Sequence, residues 1–184
     1  MTPIVRLRDF IVAILVGVTV VVGIIATVAL LGGCSVRQAQ VGVRTGLVST
    51  DEALASADRI MAGPAQDAST AALAIIEAEC PAPCPDAVGR YREAMADWYA
   101  VARALRASHE ALLALDLGVD VWIATGNLPG SWSQVCEAGT EALEDLLTAV
   151  VAATGTETPA VLIGAPAALG VVCRRAELYL PGGE

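Results

Sequence analysis

YREAMADWYAVARALRASHEALLALDLGVDVWI, residues 91–123, decides the fold class. Its regular positions are Tyr91, Met95, Trp98, Ala102, Leu105, His109, Leu112, Asp116, Val119 and Ile123. The steps alternate between four and three residues, which is a heptad-like helical seam. His109 and Asp116 are its polar members. Asp86 can cap this helix and Gly126-Asn127 ends it, so it spans about 40 residues and about 60 Å. A shorter reading ends the helix near Leu117 and leaves Val119 to Ile123 extended.

Upstream, Cys80-Pro81-Ala82-Pro83-Cys84-Pro85 cannot continue a helix and marks a turn. Before it, Leu54, Ala57, Met61, Ala68, Ala71 and Ile75 keep helical spacing, and Ser49 with Glu52 forms a capping-box pattern. Gly63-Pro64 predicts a kink or short break in a unit running from about residue 38 to 79. Downstream, Pro129-Gly130 leads into Ser131 and Gln134, a second capping box. The helix after it carries Val135, Leu143, Leu146, Leu147, Val150 and Val151 as an apolar stripe and stops near Gly155. Thr158-Pro159 opens a last helix, bent at Pro166 and finished by Pro181-Gly182-Gly183. Short turns between helices make neighbours antiparallel. The expected fold is all-α: an N-terminal membrane-spanning or signal helix, then an antiparallel bundle of two long and two short helices.

The N-terminal helix is read from Phe10 to Leu31, a run of 22 residues without charge. At about 1.5 Å per residue it can cross a bilayer core, and a charge-free helix of that length has no face for water. Arg6 and Arg8 precede it and would stay in the cytoplasm, leaving the rest outside. Residues 1–33 are therefore a signal peptide or transmembrane anchor. Residues 34–48 are a tether or the start of the first helix, and residues 49–184 an extracytoplasmic bundle. The run closes on Leu30-Leu31-Gly32-Gly33-Cys34. That ending resembles the lipobox of bacterial lipoprotein signal peptides. The resemblance implies cleavage before Cys34 and lipid attachment to it; an uncleaved anchor is the other reading. Either one leaves the bulk of the chain periplasmic or extracellular and tethered to membrane lipid through the N-terminus.

Composition narrows the partners. The chain carries 20 acidic residues, 11 basic ones and a net charge of -9. Every basic residue is arginine, and alanine is about a fifth of the 184 residues. An acidic chain without lysine is a poor ligand for nucleic acid or anionic headgroups. Lysine-free, alanine- and arginine-rich composition fits a high-GC bacterial or phage genome. One histidine leaves little scope for His-based catalysis or metal binding, and no cofactor is expected.

Five cysteines are the main chemical signal. With Cys34 lipidated, four remain, an even number for an oxidising compartment. An antiparallel path puts Cys80 and Cys84 in the membrane-distal turn and both Cys136 and Cys173 at the near end. The expected disulfides are Cys80–Cys84 and Cys136–Cys173. The rival reading starts from Cys80-x3-Cys84-Pro85, which looks like the copper-binding loop of the copper-delivery proteins of cytochrome oxidase assembly. That resemblance implies a thioredoxin fold and a distant histidine, whereas this chain has no strand–helix alternation. His109 and Asp116, two turns apart, could form a proton relay, but a boundary histidine is the default. Trp98, Trp122 and Trp132 belong to a bundle core, with Trp122 and Trp132 alternatively at a bilayer interface. Glu137, Glu141, Glu144 and Asp145 are read as a solvated helix face rather than a cation site.

No catalytic set assembles from the sequence, so an enzyme is not expected. The expected function is structural or protein-interacting: an envelope lipoprotein, an accessory subunit of a membrane complex, or a phage envelope or lysis accessory. It implies a protein partner. The alternative is a copper or thiol-redox carrier using Cys80 and Cys84.

Overall fold

The computed structural model describes residues 36–80, 86–155 and 158–179, and among them every regular element is a helix. These are α1 (Val36–Glu79), α2 (Ala87–Ala94), α3 (Ala96–Thr125), α4 (Trp132–Thr154), α5 (Ala160–Ile163) and α6 (Ala165–Glu177). Among the described residues no helix is long and apolar enough to cross a membrane. The span expected at residues 10–31 lies outside them.

α1 is 44 residues long, hence about 66 Å. Residues 36–48 are its first turns. The capping box read at Ser49 is not a helix start: Ser49 Oγ donates back to the Thr45 carbonyl at 3.0 Å. Buried Val43, Gly46, Leu47 and Thr50 carry the helix through this point. Of the kink or short break expected at Gly63-Pro64, the break is absent, since the helix is continuous through Pro64. Both residues are exposed, so the carbonyl that loses its donor faces water rather than the core.

The second long helix is instead divided. Met95 separates α2 from α3 with φ -99° and ψ 9°. The turn stays bonded, with Met95 N–H to the Tyr91 carbonyl and Tyr99 N–H to the Met95 carbonyl, both 3.0 Å. α3 runs to Thr125, so residues 119–123 are helical and not extended. Gly126 ends it at φ 76°, in the left-handed region that favours glycine. At α4 the helix begins without a side-chain cap from Ser131. The last unit is two pieces, and Gly164, just before Pro166, marks the joint.

Cross-helix pairs fix the topology. Gln40 meets the backbone of Trp122, His109 meets Asp51, and Tyr91 of α2 meets Ser69, so α1 runs antiparallel to α2 and α3. Ser108 Oγ lies 3.1 Å from the Ala142 carbonyl, and Cys136 joins Cys173, so α4 and α6 reverse in turn. α1 and α4 each pack between α3 and α6. Leu54, Leu115, Leu146 and Leu169 are fully buried at the centre. Burying such a leucine contributes about 1.5–3 kcal/mol.

Core density along α1 is uneven. Eleven of its buried residues lie between Ala39 and Met61, and beyond them only Ala72 and Ile76 are buried. α4 has 23 residues and covers about 35 Å, roughly half of α1. The upper part of α1 therefore packs with α2 alone, as a two-helix arm above a four-helix base. In the antiparallel register Pro64 stands level with Met95, so both irregular positions fall at this joint.

Candidate functional site

Three places bring chemistry-bearing side chains together. The first is the base of the bundle. Cys136 in the second turn of α4 and Cys173 in the closing turns of α6 are both buried and form a disulfide, with Cα atoms 5.9 Å apart. Trp132 Nε1 donates to the Cys173 carbonyl at 3.4 Å. Trp122 packs on Tyr179 with ring centroids 5.6 Å apart. Both indoles are fully buried, so neither stands at a bilayer interface, and Trp98 packs partly buried against the same core. Trp122 Nε1 finds no hydrogen-bond partner among the described residues.

The second is the arm's end. Cys80 is disulfide-bonded. Cys84 lies outside the described residues, as does Cys34 with its expected lipidation. His109 stands beside Asp51, 29 residues below Cys80 and so about 44 Å away along the helix, too far to complete a metal site there. Among the described residues no group of three or more His, Cys, Asp or Glu could hold a metal ion. Glu137, Glu141, Glu144 and Asp145 are all exposed.

The third is the α1–α3 seam. His109 and Asp116 do not pair with each other; each turns to α1. His109 Nδ1 is 3.2 Å from an Asp51 carboxylate oxygen, and Asp116 is 3.6 Å from Arg44 Nε. Arg44 also binds Asp120. The hydrogen bond to Asp120, its charge and the charge of Asp116 raise the Arg44 pKa above its ordinary value. The sequence did not single out Arg44, Asp120 or Asp51. Their signal is visible only once α1 and α3 are set antiparallel, because the partners are 58 to 76 positions apart.

Between these pairs lies a groove of about 150 Å³, lined by Leu47, Val48, Asp51, Leu112, Leu113 and Asp116. A second hollow on the arm is lined by Ala72, Ile75, Ile76, Glu79, Arg90 and Glu93 among others, with Arg90 3.3 Å from Glu79. Neither holds a nucleophile beside a base. Both combine apolar walls with charged rims. Comparison of the chain with protein families, with curated proteins and with solved structures finds no match to any of them.

Proposed function

We propose that this chain is a membrane-tethered, extracytoplasmic interaction protein, a helical adaptor that presents its flanks to a protein partner. The observation that carries the proposal is the buried Cys136–Cys173 bridge at the base of the bundle. A structural disulfide persists in an oxidising compartment and is rare in a reducing one. Its position is level with the first turns of α1, directly after the charge-free run of residues 10–31 that supplies both a route out and a tether. The acidic, lysine-free surface and the two charged grooves support protein contact over nucleic acid.

The test is protease protection on cells with the outer barrier removed. Residues 36–184 should be degraded from outside, and Cys34→Ala should accumulate uncleaved precursor if the lipobox is used. Protection of the bundle from external protease, with its cysteines alkylated as free thiols in intact cells, would overturn the reading.

A further inference from the structure

The outer face of the α1–α3 seam carries a row of exposed apolar side chains. Leu47 and Leu112 form the buried floor of its groove, and Val48 and Leu113 its walls. Val41 is 53% exposed, Val48 51%, Leu113 64% and Leu117 66%. The antiparallel register sets Val48 beside Leu113. Val41 stands seven residues below Val48, about 10.5 Å along the helix. That is the axial repeat of a helix laying a heptad seam into a groove.

The rim selects the charge of what lies there. Asp116 and Asp120 share one guanidinium, that of Arg44, and Asp51 meets His109. Arg106 and Glu110, on the next turns of α3, cancel in formal charge, as do Arg37 and Glu52 on the turns of α1 that flank Val41 and Val48. In a symmetric pairing of two copies the same acidic rims would face each other, and like charges in juxtaposition oppose docking. The surplus of carboxylates calls for a cationic partner.

We propose that this groove docks an amphipathic helix of a partner protein, with apolar residues at heptad spacing and arginine or lysine on its flanks. The proposal rests on the adaptor reading above and gives its partner a chemistry. The probes are two synthetic peptides of about three heptads. Both carry leucine on the seam, one with arginine and one with glutamate on the flanks, and binding to the purified full chain is measured by calorimetry. The arginine peptide should bind at least about tenfold tighter, and the preference should shrink in 1 M salt as surface charges are screened. Leu113→Glu and Val48→Glu, on opposite walls, should each weaken binding about tenfold or more at unchanged melting temperature. Leu73→Glu, on the arm, should leave it unchanged. Equal affinity of the two peptides, or indifference to both wall variants, would overturn the proposal. A cytoplasmic location found by protease protection would instead sink the adaptor's address while peptide binding by the purified chain stood.

Discussion

Single residues set how closely these helices approach. A Cβ on Gly46 would fall on the Val172 side chain, well inside van der Waals contact. Valine is stiff at χ1 and cannot swing its methyl aside. A Cβ on Gly139 would stand 3.1 Å from Leu169 Cδ2, the far end of a flexible side chain. Gly46→Ala should therefore destabilise by about 1–3 kcal/mol despite alanine's better helix propensity. Gly139→Ala should lie within about 1 kcal/mol of the parent, since propensity offsets a small shift. Urea unfolding monitored by circular dichroism separates the two. The tryptophans differ in the same way. Trp132 gives its N–H to the Cys173 carbonyl, while Trp122 leaves a buried N–H without a partner. Both lose volume on replacement by phenylalanine. Trp132→Phe also removes a buried hydrogen bond, so it should cost about 1 kcal/mol more than Trp122→Phe. Equal losses would mean that the Trp132 bond contributes nothing net.

At the scale of elements, the joint between base and arm holds the clearest lever. Gly63 is exposed in the interior of α1, and a Cβ there meets nothing within 4 Å. Gly63→Ala should stabilise the protein by about 0.5–1 kcal/mol, seen as a higher denaturation midpoint at unchanged slope. No change would imply that the arm unfolds separately from the base. The same joint explains why element boundaries were only partly legible. Helix identity, the Gly126 stop and the turn at residues 127–131 follow from local chemistry. The Ser49 box and the Gly63-Pro64 break did not materialise because packing of Leu47, Leu54 and Met61 overrides a local signal worth about 1–3 kcal/mol. The break at Met95 had no sequence mark at all. The heptad seam read from Tyr91 to Ile123 is the edge of α3 that faces α1. The face toward α4 runs instead through Val101, Ser108, Leu115 and Trp122. Ser108 hid that face, because a buried serine bonded to the Ala104 and Ala142 carbonyls looks like a solvent position in sequence. The Arg44, Asp51 and Asp120 cluster was hidden for a different reason: pairing across antiparallel helices depends on register, which hydropathy leaves undetermined.

The described residues form a four-helix base clamped at one end and an arm that reaches past it. The clamp is where most of the stability should be held. The Cys136–Cys173 bridge closes a loop with a sequence separation of 37, which in the chain-entropy model stabilises by about 4 kcal/mol. A domain of this size commonly has about 5–15 kcal/mol in total. Cys136→Ala with Cys173→Ala should thus lower unfolding free energy by about 2–5 kcal/mol, and part of that loss comes from buried sulfur contacts at the base. Cys80→Ser should cost less, because the bridge expected within residues 80–84 closes a far shorter loop. It acts on an arm with few buried side chains. Hydrogen exchange gives the spatial readout. In the double alanine variant, protection should fall first in α6 and the opening turns of α4 and stay least changed in α2. In the Cys80→Ser variant the order should reverse, with loss confined to α2 and the end of α1. If both variants lower protection uniformly, base and arm are one cooperative unit, and the arm draws its order from the base rather than from its own bridge.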